Sequence, residues 1–260
     1  YIKVPDTLTA MQQIAAYYRN KMSLPIIGVT GSVGKTTTRE MIAHVLKGKY
    51  KVFETIGNQN SQVGVPLTLD HLTSEDEIGV LEMGMSDFNE IDLLGRISSP
   101  DISIITNIGE SHLEFLKTKE NVFKAKTEII PHTKEMLIIN GDDEYLKNIE
   151  NAQVNIVRVL KKKEKGISQM DSDFYYGDIE FDEEGTDFSL QNHDKICQNL
   201  VKRNYRTNIL GIHNVLNLVL SIAVAKQFSI EDSLIEKAIM NIIMTDMRFQ
   251  KIEKGKTIYI

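Results

Sequence analysis

The stretch "GVTGSVGKTTTREM", residues 28–41, carries the residue types of a phosphate site: glycines, then a lysine, then three threonines. Gly31 and Gly34 allow backbone conformations that a side chain would forbid. Successive N–H groups can then face inward, and a following helix start adds positive potential. Lys35 can reach the outer phosphates of a nucleotide, and the Thr36 hydroxyl can sit on Mg²⁺. Thr30, Ser32, Val33 and Thr37 complete the cradle. The longer and commoner phosphate loop has a glycine five positions before its Gly-Lys pair; here that position is Val29. The alternative for the whole stretch is a plain glycine-rich turn between strand and helix.

The elements that must position this loop are legible around it. Asp6 or Thr7 can cap a helix through "LTAMQQIAAYYRN". "LPIIGVT" reads as a buried parallel strand feeding the loop, and Met41, Ile42, Val45 and Leu46 put one apolar stripe on the helix after it. Strand-like runs recur at "KVFET", "IGVLEMG", "DISIITNI" and "EMLIIN", with helical stretches between them. That alternation predicts an α/β domain: a mostly parallel sheet flanked by helices. After Asp143 the texture changes to alternating strands with turns, predicting a small antiparallel β insertion at about 154–207. "GIHNVLNLVLSIAVAKQF" and "SIEDSLIEKAIMNII" return to helix.

Composition narrows the partners. Among 260 residues the formal net charge is -6, which argues against nonspecific nucleic-acid binding. The single cysteine, Cys197, cannot form an internal disulfide, so a reducing cytoplasm fits. The longest apolar run, Val215 to Ala225, is broken by Asn217 and Ser221 and is too short to cross a bilayer. A soluble monomer is expected. The chain starts at Tyr1 and ends in strand-like "KGKTIYI", which reads as a piece of a longer protein.

Thr30-Gly31-x-x-Gly34-Lys35-Thr36-Thr37 resembles the phosphate loop of the Mur ligase family, whose members use ATP to join amino acids to a growing carboxyl group. Further stretches resemble that family in order. "GNQNSQVGVPLT" (57–68) is similar to an asparagine-rich stretch of one branch. "VLEMGMSDFNEI" (80–91) is similar to the strand whose glutamate holds a metal. "TNIGESHLEFLKTKENVFKAKTEI" (106–129) is similar to the histidine loop and modified-lysine helix. "LGIHNVLN" (210–217) is similar to the adenine-binding helix start, and "DMRF" (246–249) to an arginine turn. The combination is most similar to the branch that adds D-alanyl-D-alanine to a UDP-muramoyl tripeptide.

The resemblance implies ATP and Mg²⁺ as cofactors and an acyl phosphate as intermediate. It implies Lys35, His112, Arg248 and a carbamylated Lys126 as catalytic residues. Thr36, Glu82, His112 and Lys126 would serve the metals, and His213, Asn214 and Asn217 would join the loop and Arg248 around the nucleotide. Asn58, Asn60 and Ser61 would lie near the metals or the substrate carboxylate. Read from the residues alone, His112 between Glu110 and Glu114 is a surface or hydrogen-bonded side chain as readily as a ligand, Lys126 a solvated lysine, and Asn214 a cap. Val33, Ser61, Asn89 and Met247 depart from the usual residues; Asn89 and Met247 replace glycines, and position 33 is expected to contribute mainly its backbone N–H.

The resemblance further implies that residues 1–22 end a first domain or form a linker helix and that 23–260 are the central ATP-binding domain. The sugar-nucleotide and dipeptide domains would lie outside this chain, so UDP-muramoyl-peptide and D-alanyl-D-alanine would be held mainly there. Alternatives are another ligase of the family (amino-acid-adding, folylpolyglutamate or peptide-polymer) or, from a different class, a phosphate-loop switch. A switch predicts the longer loop and a strand ending in Asp; the candidate strand here ends "VLEMG".

Overall fold

In a computed structural model, residues 1–150, 153–162, 173–193, 200–243, 252–254 and 257–259 are described. Helix α1 (Thr7–Lys21) starts at Asp6, whose carboxylate accepts from the Thr9 N–H at 2.6 Å. Strand β1 (Ile26–Thr30) leads through the glycine loop into α2 (Lys35–Leu46). Then come β2 (Val52–Glu54), α3 (Gly64–Leu69), β3 (Ile78–Glu82), α4 (Glu90–Ser98) and β4 (Ile102–Ile105). A short α5 (Leu113–Leu116) and α6 (Lys119–Thr127) precede β5 (Met136–Asn140). Strands β6 (Asn155–Lys161), β7 (Phe174–Phe181), β8 (Thr186–His193) and β9 (Leu200–Thr207) follow, then α7 (Ile212–Gln227) and α8 (Asp232–Ile239). A two-stranded ribbon, β10 (Ile252–Lys254) and β11 (Thr257–Tyr259), stands apart from the main sheet.

Nine strands form one sheet in the order β2-β3-β1-β4-β5-β6-β7-β8-β9. The pairs from β2 through β7 are parallel; β7, β8 and β9 run antiparallel. The antiparallel part expected after Asp143 is therefore present, but it extends the main sheet. β6 pairs in parallel with β5 from Met136↔Asn155 to Asn140↔Val159, and β7 continues that ladder. Strands β1, β3 and β4 are buried along their whole length, as expected where helices cover both faces.

Two apolar clusters flank the sheet. One joins Val29 and Ile104 to α2, α7 and α8; the other joins Ile26 and Ile105 to α1, α3, α4 and α6. Strand β1 lies between β3 and β4, so the chain turns to opposite sides of it. The loop after β1 thus sits where strand order reverses, the place where open α/β sheets bind ligands. Among the described residues no helix is long and apolar enough to cross a membrane.

Candidate nucleotide and metal site

Both loop glycines are required by their surroundings. Gly31 has φ +146° and Gly34 has φ +82°, a range that L side chains avoid. A Cβ on Gly31 would lie 1.9 Å from Thr106 Oγ1, and one on Gly34 would lie 2.9 Å from Asn217 Oδ1. Gly34 is the N-cap of α2, so the first amides of that helix have no partner within it and remain available to an anion. Lys35 Nζ folds back and donates to the carbonyls of Gly31 (2.8 Å) and Ser32 (3.2 Å). Incoming phosphates would replace those carbonyls as its acceptors.

The segment after β4 grips this loop. Ser32 N–H donates to the Asn107 carbonyl at 3.0 Å. The Asn107 side chain accepts from Val33 N–H at 3.0 Å and donates to Val33 C=O at 2.9 Å. Thr106 Oγ1 donates to that same carbonyl at 2.6 Å. Ser32 Oγ accepts from Gly109 N–H (2.8 Å) and from Ser111 Oγ (2.9 Å). Val33 therefore differs from expectation: its N–H is given to Asn107 and does not point toward a phosphate, while its side chain is 70% exposed. Asp143 anchors the gripping segment by accepting from Ile108 N–H at 2.8 Å.

A cleft of about 1210 Å³ opens in front of the loop, and Lys35, Thr36, Glu82, Asn60 and His112 all face it. Asn58, Ser61 and Glu90 line it too. Glu82 ends β3 at 2% exposure. Its Oε1 accepts from Asn60 Nδ2 at 2.7 Å, whereas Oε2 is buried with no hydrogen-bond partner among the described residues. A buried, unpaired carboxylate oxygen is unfavourable unless a cation completes it. Among the described residues no three His, Cys, Asp or Glu side chains cluster. The residues present thus fit a hard cation that takes the rest of its shell from a hydroxyl, phosphate oxygens and water, as Mg²⁺ does.

His112 begins α5 with φ 57°. Burial first, then the Lys126 and Lys35 cations, push its pKa down; Glu90 opposes them. The shift favours the neutral imidazole, the form that ligates metal, although the side chain is exposed at the cleft. Lys126, on α6, is 1% exposed, and burial together with Lys35 pushes its pKa down to about 7. Lys124, two residues away, is exposed.

The other expected residues separate. Thr30 and Thr37 are buried, the first with an unpartnered Oγ1. Asn217 packs against Gly34, whereas Asn214 Nδ2 donates to Leu210 C=O at 2.8 Å and ties down the helix start. His213 is exposed on the same helix end. Ser61 Oγ accepts from Val63 and Gly64 N–H at 3.4 and 3.3 Å, holding the start of α3. Arg248 and Met247 lie outside the described residues. Asn89 sits at φ 65°, which explains why glycine or asparagine suits that position. Glu128 accepts from both Asn89 and Asp92 N–H, joining α6 to the start of α4.

Four residues that do not stand out in the sequence matter here: Thr106, Asn107, Ser111 and Glu90. The first three lie within "TNIGES", polar residues directly after a strand. Glu90 accepts from Ser86 N–H at 2.6 Å and from Gln62 Nε2 at 3.2 Å, linking two walls of the cleft.

The sheet order, the loop at its switch point and the polar cleft define a phosphate-loop α/β domain. The model of the Mur ligase middle domain matches residues 29–225. The chain belongs to the Mur ligase family. It is 40% identical over 254 residues, 97% of its length, to the UDP-N-acetylmuramoyl-tripeptide--D-alanyl-D-alanine ligase of Bacillus subtilis (strain 168), and spans 52% of that protein. Among solved structures, MurF from Acinetobacter baumannii aligns with a TM-score of 0.87 at 28% identity, over 99% of this chain and 55% of that one. The MurF ligase of Thermotoga maritima in complex with ADP aligns with a TM-score of 0.84 at 28% identity, over 98% and 56%. The chain thus spans about half the length of the relatives it matches.

Proposed function

We propose that this chain is the ATP-binding part of an ADP-forming ligase that adds D-alanyl-D-alanine to UDP-N-acetylmuramoyl-tripeptide through an acyl phosphate. The observation that carries the reading is one cleft holding the glycine loop, Lys35 and the unpaired Glu82 oxygen together. The family and the ADP-bound relative support the choice of nucleotide; the Bacillus subtilis relative supports the branch. Residues 23–260 would be the central domain, with 1–22 leading into it. The sugar nucleotide and the dipeptide would be held mainly by the further length that the relatives possess, in the cytoplasm where such precursors are made.

In this reading Lys35 and the first amides of α2 hold the β- and γ-phosphates and balance charge as the phosphoryl group moves. Thr36 and Glu82 would hold Mg²⁺, which supplies charge neutralisation when bound. His112 in its neutral form would offer a nitrogen lone pair toward a second cation. The uncharged Lys126 amine is nucleophilic. Its nitrogen would attack the carbon of CO₂, a C–N bond forming as one C=O π bond opens onto oxygen, and one N–H proton would leave to solvent, so a neutral amine would become an anionic oxygen ligand. Asn217 would flank the nucleotide beside Gly34. Arg248 would clamp phosphate, and Asn58 and Asn60 would face the acceptor carboxylate.

Calorimetry with Mg·ADP tests the reading on this chain. Lys35→Ala is expected to weaken binding a hundredfold or more, as lost charge-assisted contacts to phosphate require. Equal affinity in the two proteins would sink the assignment.

A further inference from the structure

We propose that Asn107 is a positioning residue for the nucleotide site: its side-chain amide sets the shape of the phosphate loop and couples occupancy of that loop to order in the 106–112 segment. The inference rests on the nucleotide reading above. The chemistry is specific to an amide. Only a carboxamide offers an acceptor and a donor side by side, and Asn107 uses both on one residue, accepting from Val33 N–H at 3.0 Å and donating to Val33 C=O at 2.9 Å. The backbone fixes the orientation of the amide, because a donor must face the carbonyl. Residue 33 is thus held the way a neighbouring strand would hold it, at the tip of a loop with no strand beside it.

This grip sorts the loop amides into two groups. The N–H groups of Ser32 and Val33 are spent on Asn107, through its carbonyl and its side chain. Those of Gly34, Thr36 and Thr37, at the start of α2, donate to no backbone carbonyl among the described residues and are left for phosphate. Without the amide, residue 33 could turn its N–H into the cleft, and the cradle would have to be ordered by the nucleotide at an entropic cost.

Coupling follows from the same bonds. Ser32 also takes hydrogen bonds from Gly109 N–H and Ser111 Oγ, and His112 is the next residue. A ligand that stiffens residues 31–37 must stiffen 106–111, and so orders the residue that faces the cleft from the other side.

The test compares the wild-type chain with Asn107→Ala, reading Mg·ADP affinity by calorimetry and amide hydrogen exchange with and without Mg·ADP. In the wild type, Mg·ADP is expected to slow exchange both at 34–37 and at 108–112. In Asn107→Ala the affinity should fall roughly tenfold, as for two lost hydrogen bonds, and protection should persist at 34–37 while shrinking at 108–112, where the Ser32 contacts alone remain. A merely structural role would lower the melting temperature and leave this pattern unchanged. Affinity within about twofold of wild type with protection at 108–112 intact overturns the inference. Should Asn107→Ala fail to fold, Asn107→Asp keeps the side-chain shape but replaces the donor to Val33 C=O by an acceptor and should weaken binding about threefold or more; unchanged affinity and protection there overturn the proposal equally. A wild-type chain that binds no Mg·ADP removes the nucleotide reading and this inference together, whereas a wild type that binds no better than Asn107→Ala removes this inference alone.

Discussion

Near the phosphate loop two ionisable side chains are buried without a salt bridge, although Arg39 in the same cleft pairs with Glu54, whereas along the hairpins of β7–β9 ion pairs lie near the surface. Around the cleft, Glu82 and Lys126 are 2% and 1% exposed, and among the described residues neither forms a salt bridge. One Glu82 oxygen has no partner, and the Lys126 ammonium is pushed toward its neutral form. Along the hairpins Arg206 and Lys202 stay nearer the surface and are paired. Arg206 meets Asp182 at 2.7 Å and also Asp187. Lys202 meets Asp178 at 2.7 Å, and its hydrogen bond is the main reason the Asp178 pKa is held at about 2. The contrast teaches where to look for chemistry. Paired surface charges add little stability and need no further explanation. Buried unpaired ones weaken the fold, so the fold retains them only where something else uses them.

Three substitutions would break or sharpen that comparison. The largest effect belongs to the hairpins. Phe188 is 1% exposed and stacks on Tyr205 with ring centroids 5.6 Å apart. Phe188→Ala should cost about 3–5 kcal/mol in chemical denaturation while the folded fraction keeps wild-type affinity for Mg·ADP. Lost affinity at full folding would show that the hairpins serve the site directly.

The middle effect has the opposite sign. A lysine whose native pKa is depressed to about 7 from 10.5 weakens the native state wherever the unfolded chain holds the proton. That penalty is complete below pH 7 and fades as pH rises toward 10.5. In CO₂-depleted buffer, Lys126→Met should therefore stabilise the chain by on the order of 2 kcal/mol at pH 7, with the gain shrinking as pH rises. A Met variant no more stable than wild type at pH 7 would break the comparison, since Lys126 would then have found a partner. The smallest effect is Arg206→Ala, expected to leave the denaturation midpoint almost unchanged, with the small loss weaker still in high salt; a large drop in the midpoint would mean that the surface network carries the hairpins.

Much of this was open to reading along the chain. The glycine loop and the parallel order of strand and helix depend on local spacing, and spacing is what a sequence displays; Lys126 is singled out by the resemblance of its helix to the family's modified-lysine helix. The grip of Asn107 on Val33 spans 74 positions and exists only because β4 lies beside β1. No pattern near either residue announces it. Asn214 and Asn217 share a helix face, yet one ties its own helix start and the other packs on Gly34, because the packing of α7 on α2 decides which turn meets the loop. The continuity of β6 with β5 was hidden for a similar reason: an alternating strand looks the same whether its neighbour runs parallel or antiparallel to it.

The distance between loop and grip also has a meaning in time. A ribosome delivers residues 28–41 early, but Asn107 comes 74 positions after Val33, Ser111 comes 79 after Ser32, and the Asp143 anchor comes 35 after Ile108. Until β4 has docked beside β1 and β5 beside β4, the nascent chain holds every residue of the glycine loop without the brace that gives the loop its shape. Nucleotide therefore cannot template the early steps of folding. It meets a finished receptor only once the first five strands are in place, and it acts as a late lock on a sheet assembled from distant contacts.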